Sequence, residues 1–361
     1  MRVAVLGVGL IGGSIGLAAR SRAGSQVCGY DPDPDVLARA LEAGVIDSSA
    51  SSLAEAVADA EVVFVAAPVG VLLETVRAAL DAADANCVVS DVGSTKRTLA
   101  DLSGDERFVG GHPLAGAETS GVEHAREDLF EGATWYLTPG ARSSGVLYER
   151  LHRLLSALGA CPSAIDAETH DRLMARISHL PHVLANLLVI QAASMLGEGD
   201  ARRLPAVGPS FRDATRVAGA SSAIWTDIYL SNADALIAGI DELTAGLEDI
   251  RGRLVDGKAP AIVAWNERAG ADRDALLGSG LIGGADGETP LQLRVSVPNR
   301  PGVIAEIALT LGEAGVNILD LALSPSPDNS QGVVALWVHG DASAARAREL
   351  ISGLGFPVVQ A

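Results

Sequence analysis

Cysteine, aromatic side chains and positive charge are all scarce in this chain of 361 residues. The three cysteines, Cys28, Cys87 and Cys161, lie far apart without C-x-x-C spacing. That excludes a disulfide framework and a zinc site, and it reads as buried thiols in a reducing, cytoplasmic compartment. Aromatics make up only 4% of the chain, so its core must close through alanine, glycine and aliphatic packing. Lysine and arginine total 27 against 45 acids, a net charge of −18. Nucleic acid and anionic membrane surfaces are therefore excluded as partners, because both would be repelled. The same deficit means that an anionic substrate needs locally placed cations. No apolar run reaches the ~18 residues of a membrane span. The apolar N-terminus is broken by glycines and reads as the start of a fold, so no targeting segment is expected before it. What is present is 48% hydrophobic and 20% charged residues, the balance of a soluble globular protein long enough for two or three domains.

The chain is organised around Val3–Ala19, VAVLGVGLIGGSIGLAA. Residues 2–6 read as a buried strand, Gly7-Val8-Gly9-Leu10-Ile11-Gly12 as a tight turn, and residues 11–22 as a helix. This is a dinucleotide fingerprint. Gly7 permits the sharp turn, Gly9 lets the backbone approach a pyrophosphate, and Gly12 lets helix and strand pack closely. The helix start at Leu10 and Ile11 offers free N–H groups and partial positive charge. The next strand, Gln26–Tyr30, ends at Asp31, about ~20 residues beyond the turn, where an acid accepts ribose hydroxyls. An acid there repels a 2′-phosphate, and Pro32, Asp33 and Pro34 bring no arginine, so NAD is favoured over NADP.

Strands and helices alternate after Asp31: helices near 35–43 and 53–58, a strand over 61–66, a helix over 69–82 and a strand over 87–90. Short connections in that order are the signature of a doubly wound parallel sheet. Ligands of such sheets bind beyond the carboxyl ends of the strands. One such end carries Ala67 and Pro68, a small-residue mouth suited to a dinucleotide. Another carries Asp91-Val92-Gly93-Ser94-Thr95-Lys96, where Ser94 is either a plain N-cap or a cap whose hydroxyl also faces the cleft. His112 follows in GGHPLAG, just after a strand, extended by Pro113 and flanked by glycines that let the backbone pass close to a ligand. Most lone histidines are structural. This one is a candidate acid or base, because imidazole titrates near neutral pH, with Glu118 placed to orient it or gate the cleft. Strands over 133–138 and 161–165, joined by a helix near 144–158, close the sheet.

Helical periodicity then takes over, through 167–196, 213–219, 222–253 and 259–277. His179 and His182 lie three apart on one helical face, but no carboxylate or cysteine completes a set, so no metal is expected. Arg212 and Arg216, four apart in an acid-rich chain, suit bidentate carboxylate binding, although surface charge explains most such pairs. Trp225 ends this segment, its ring more typical of core than of ligand contact. The expected domains are 1–165, nucleotide-binding; 166–278, helical, substrate-binding and dimerising; 279–290, a glycine-rich linker; and 291–361, a small ferredoxin-like βαββαβ unit. The fold class expected is thus α/β, Rossmann-type, with a helical second domain and a third, antiparallel one.

Together these stretches resemble the prephenate/arogenate dehydrogenase family of tyrosine biosynthesis. The likeness runs in unbroken order from residue 1 to about 278 through GVGLIGGS, Asp31, AAPV, DVGSTK, GGHPLAG with Glu118, the HD and SHLPH histidines, and the RDATR segment ending at Trp225. VPNRPGVIAEIALTLGEAGVNI resembles the opening of an ACT domain, a module that binds amino acids at domain interfaces. The resemblance implies that hydride leaves C4 of the substrate for NAD while its hydroxyl loses a proton and the ring carboxylate departs as carbon dioxide. His112 matches the family's hydrogen-bond acceptor for that hydroxyl and must be neutral to act. Ser94 matches the serine that bonds this histidine. Arg216 matches the arginine that anchors a carboxylate, and His182 a histidine lining the pocket. His170, His179, Asp171, Glu118, Arg212 and Trp225 are weaker correspondences, in supporting or gating positions. Ala220 stands where some relatives carry a serine. A homodimer through the helical domain, an active cleft between the domains and an aromatic amino-acid effector at the ACT domain are the expected partners and arrangement.

Two rivals follow from the same architecture. A hydroxyacid dehydrogenase of the 6-phosphogluconate type relies on a lysine in its helical domain, and none occurs between Lys96 and Lys258. A silent NAD and amino-acid sensor has no reason to keep Ser94, His112 and Arg216 together.

Overall fold

The apolar run after Met1 forms β1 (Arg2–Leu6), whose side chains from Val3 to Leu6 are buried on both faces of a parallel sheet. The computed structural model describes residues 1–116, 119–194, 207–280, 290–298, 300, 303–316, 318–325 and 331–360. They divide into two units, Met1–Asp249 and Ile250–Ala361.

In the first unit β1 is followed by α1 (Leu10–Ser21), β2 (Gln26–Tyr30), α2 (Pro34–Glu42), β3 (Ser48–Ser49), α3 (Leu53–Val57), β4 (Val62–Val65), α4 (Val69–Ala82) and β5 (Val88–Asp91). The strands pair in parallel in the order β3-β2-β1-β4-β5. Alternate residues serve two cores. Val3 and Val5 pack with Ile15, Val27 and Phe64, while Ala4 and Leu6 pack with Val63, Val65, Leu72 and Val76. Burial on both faces explains why these strands read as continuous apolar runs. Helix starts are capped as the side chains dictate: Asp33 accepts from Asp35 N at 2.9 Å ahead of Pro34, and Ser52 accepts from Glu55 N at 3.2 Å.

The turn after β1 requires its glycines. Gly7 has φ of +94°, and a Cβ on it would lie 2.5 Å from Ala66 O. A Cβ on Gly12 would lie 1.9 Å from Gly7 O, whereas one on Gly9 meets nothing within 4 Å. Two glycines thus close the turn, and the third leaves open space above it.

The closing strands depart from expectation. β6 (Val109–Pro113), β7 (Thr134–Pro139) and β8 (Cys161–Ala164), with α5 (Gly145–Ala157) between the last two, form their own three-stranded sheet. β6 runs antiparallel to β7 and β7 parallel to β8, and one bridge, Val89 to Phe108, links this sheet to β5. His112 lies inside β6, opposite Tyr136, rather than after a strand. The cysteines differ as well. Cys87 is buried, Cys28 half-buried and Cys161 exposed on an edge strand, so only one of the three is a core thiol.

Helices follow: α6 (Ala167–Met174), a π-helical turn (Ala175–His179), α7 (Leu180–Ser194), α8 (Pro209–Thr215), α9 (Ser222–Ser231) and α10 (Ala233–Val255). The expected helix over 222–253 breaks at Asn232, whose amide donates to Asp171 O at 2.7 Å. By length and composition alone, Ala167–Ser194 is apolar enough to cross a membrane. Its buried His170, Asp171 and His179 are bonded within the protein, as in a core helix.

The second unit holds α11 (Ala259–Gly280), β9 (Pro290–Pro298), α12 (Val303–Glu313), β10 (Ile318–Pro325), β11 (Gln331–His339), α13 (Gly340–Gly353) and β12 (Val358–Gln360). Its sheet is antiparallel in the order β10-β11-β9-β12. Alternation buries Leu293, Val295 and Val297 against Ile307, Leu311 and Ile351. Most of the glycine-rich linker expected over 279–290 lies outside the described residues, with α11 continuing to Gly280 and β9 starting at Pro290.

Gly12→Ala should destabilise the protein by at least about 2 kcal/mol through backbone overpacking, read as a lowered Tm. Gly9→Ala should leave Tm unchanged and weaken dinucleotide binding; equal effects of the two on Tm would contradict this account of the turn.

Candidate active site

At the dinucleotide turn, Asp31 Oδ2 accepts from Val8 N at 2.9 Å and Oδ1 from Asp33 N at 3.0 Å. The acid at the end of β2 is thereby fixed beside the turn. Leu10 and Ile11 open α1 half-buried, and Ala67 and Pro68 form the mouth between β4 and α4. With the space above Gly9 and the free N–H groups of α1, these residues fit a dinucleotide pyrophosphate and ribose.

The end of β5 carries a buried ion pair. Asp91 and Lys96, both almost wholly inaccessible, are in direct contact, and Lys96 Nζ also donates to Gly111 O at 2.6 Å. Asp91 further accepts from Gly93 N at 2.8 Å and Gly111 N at 3.1 Å. The residue before His112 is thus tied through both its amide groups. Gly111 permits this closeness, since a Cβ there would lie 2.6 Å from Asp91 O. The glycines before His112 therefore admit the neighbouring strand end, where the sequence suggested approach to a ligand. Burial lowers the Lys96 pKa, and the Asp91 carboxylate opposes that shift.

His112 is half-buried, with Nδ1 2.9 Å from Nε2 of His170. His170 is fully buried and its Nδ1 lies 2.8 Å from Asp171 Oδ1. Desolvation first, then the neighbouring His170, Lys96 and His179, push the His112 pKa well below its usual 6.5. That shift favours the neutral ring at physiological pH. For Asp171, burial acts to raise the pKa, but hydrogen bonds from His170 and from the Arg97 and Lys96 amides win and lower it.

Ser94 lies half-buried in the loop after β5 and does not cap a helix. The next helix is a 3-10 turn, Arg97–Gly104, with Lys96 at its N-cap and no side-chain cap bond. His179 and His182 are both buried and both meet Trp225: His182 stacks on its ring at 3.6 Å and 1°, and His179 meets it edge-on at 6.2 Å. His182 Nδ1 also contacts the Tyr229 hydroxyl. Burial lowers both histidines, His179 to about 4. Arg212 and Arg216 are exposed at the end of α8, and the backbone of Val217 reaches His182. Glu118 lies outside the described residues.

Sequence reasoning gave Lys96, Asp91 and Asn232 no role. The available signal for Lys96 was its isolation: it is the sole lysine before Lys258, in a small-residue loop after a buried strand.

Residues 15–162 match the family described as prephenate dehydrogenase, nucleotide-binding domain; residues 166–267 match prephenate dehydrogenase, dimerization domain; and residues 291–342 match the ACT domain. Prephenate dehydrogenase of Bacillus subtilis is 34% identical over 97% of this chain and 95% of its own length. The chain belongs to the prephenate dehydrogenase family. Within that family, a crystal structure of prephenate dehydrogenase from Aquifex aeolicus in complex with hydroxyphenyl propionate and NAD+ superimposes with a TM-score of 0.71 at 29% identity, covering 76% of this chain and 98% of that one. Arogenate dehydrogenase of Synechocystis superimposes with a TM-score of 0.67 at 26% identity, covering 76% and 100%. Membership extends over both the sheet unit and the helices that bear His170, Asp171, His179 and His182.

Two outcomes test this geometry. Lys96→Met leaves Asp91 charged and unpaired in the core, and should cost about 3–5 kcal/mol in urea unfolding; a loss within experimental error would mean the pair is not buried as described. In the folded chain His112, His179 and His182 stay neutral where the unfolded chain takes up protons. Stability is therefore complete above pH 6.5 and falls as pH drops toward the folded value of about 4 for His179. Tm measured from pH 7.5 to 4 should decline through that window, less steeply for His179→Gln.

Proposed function

We propose that this protein is an NAD-dependent dehydrogenase that oxidatively decarboxylates prephenate to 4-hydroxyphenylpyruvate in tyrosine biosynthesis, in the cytoplasm. The observation that carries the reading is the neutral His112, pinned at Gly111 to the end of β5 and held by His170, in a chain of this family. When bound, NAD takes up the hydride from C4. His112 accepts the proton of the substrate hydroxyl, and Ser94 takes the part that the family resemblance implies for it, a hydrogen bond to that histidine. Arg216 anchors a substrate carboxylate with Arg212 nearby, supplying the local cations that an acid-rich chain otherwise lacks. His179, His182 and Trp225 wall the ring, and Glu118 gates it. Gly7, Gly9, Leu10, Ile11, Gly12, Asp31, Ala67 and Pro68 hold the cofactor. Fixing C4 against the cofactor supplies most of the barrier reduction, because aromatisation drives the reaction once geometry is met.

The reading extends to two partners. An aromatic amino acid binds at the ACT domain, as the match of residues 291–342 supports. A second copy of the chain packs on the helical region. Leu187, Ile190, Leu230, Ile237 and Leu247 are exposed there, and the family description of that region names dimerization. Arogenate is the second reading, favoured by the likeness to the Synechocystis enzyme.

The test is NAD reduction by purified protein with prephenate and arogenate compared by kcat/KM. Turnover of prephenate in preference to arogenate supports the proposal, the reverse ratio moves it to arogenate, and no turnover of either with NAD bound points to a sensor. His112→Asn should lower kcat by about a hundredfold or more with NAD affinity nearly unchanged.

A further inference from the structure

Asp171 is fully buried and surrounded by donors. Oδ1 accepts from Lys96 N at 2.8 Å and faces His170 Nδ1 at 2.8 Å, while Oδ2 accepts from Arg97 N at 2.9 Å and Arg97 Nε at 3.4 Å. A carboxylate so placed is ionised and only accepts, so the proton of its link to His170 sits on His170 Nδ1. With a single ring proton, placed on Nδ1 by that link, His170 has a bare lone pair at Nε2. That lone pair lies 2.9 Å from His112 Nδ1. Two lone pairs facing at this distance repel, so the proton between the rings belongs to His112 Nδ1. His112 Nε2 is left bare.

We propose that His170 and Asp171 are positioning residues that hold His112 in its Nδ1–H tautomer, making Nε2 the atom that accepts the proton of the substrate hydroxyl. The proposal rests on the reading of His112 given above. In the step it serves, the hydroxyl O–H bond breaks and an Nε2–H bond forms. The C4–H electron pair leaves as hydride to NAD. The bond to the ring carboxylate then breaks, its electrons enter the ring and carbon dioxide departs. The proton on Nε2 returns to the phenolate oxygen, so none is consumed overall.

While His112 carries that proton it is a cation. Burial, then His170 and the Lys96 ammonium, act against that charge, and the ring of Tyr136 meets His170. Lys96 is offset by Asp91. Asp171 is the carboxylate reached through the hydrogen bonds of His112 itself, and it stabilises the transient charge across two links. The orienting pair comes from α6, whereas the base it orients comes from β6.

Ring-nitrogen NMR of histidine-labelled, cofactor-free protein tests this directly, with the His112 signals assigned by their loss in His112→Asn. In the wild type the expected result is a protonated Nδ1 and a bare Nε2; a proton on Nε2 instead overturns the proposal. His170→Phe removes the acceptor and should shift His112 toward the Nε2–H tautomer and lower kcat by about a hundredfold, with KM and NAD affinity changed less than threefold. His170→Gln, which offers a carbonyl oxygen to the same Nδ1–H, should recover both the spectrum and at least a tenfold part of the rate. Unchanged tautomer and rate in His170→Phe, or no recovery in a folded His170→Gln, overturn the positioning role. Wild-type turnover is measured first. Its absence overturns the functional reading, and the role in turnover with it, while the tautomer is still read independently from the spectrum.

Discussion

One buried carboxylate, Asp171, has to be satisfied on every side, and much of the helical side of the first unit is arranged to do so. An ionised group in the interior is tolerated only when donors surround it. Its donors come from three places: the backbone of the loop after β5 at Lys96 and Arg97, the Arg97 guanidinium, and the ring of His170. Arg97 then reaches on to Asn232 and Asp234 at the junction of α9 and α10. Thr95 meets Ser231 at 3.1 Å, and Gly70 N donates to Asp227 at 3.2 Å. These bonds lock the helices onto the side of the sheet where the strands end. His112 on β6 meets His170 of α6 because both are organised around the same loop.

The second constraint is electrostatic. A chain with eighteen more acids than bases keeps one of its few lysines wholly buried, against Asp91 and the carbonyl before His112. Burial lowers the pKa of His112, His179 and His182 alike. Desolvation with a cation nearby keeps an imidazole unprotonated near neutral pH more surely than its intrinsic pKa does.

Much of the fold was legible because its signals are local. Apolar runs with glycine at the turn placed β1 and α1, α4 was read to the residue, and the βαββαβ order of the C-terminal unit was read as it is found. The misreadings share one cause, which is that they depend on residues distant in sequence. β6 to β8 left the main sheet because β7 pairs antiparallel with β6, and an apolar strand does not announce its partner. Ser94 looks like a cap in isolation, yet the Asp171 carboxylate takes the Lys96 and Arg97 amides and moves the helix start to Arg97. The helix expected over 222–253 breaks where Asn232 turns to bond Asp171 and Arg97, partners more than fifty residues away.

The sequence by itself determined the elements, the dinucleotide turn, the order of the motifs and the family to which they belong, since each rests on residues a few positions apart. The tertiary structure alone decided what His112 can do. Its lowered pKa comes from burial, His170 and Lys96, and its ring contact is with His170, 58 positions away. Protonation state and tautomer are properties of an environment, and an environment exists only once the chain has folded.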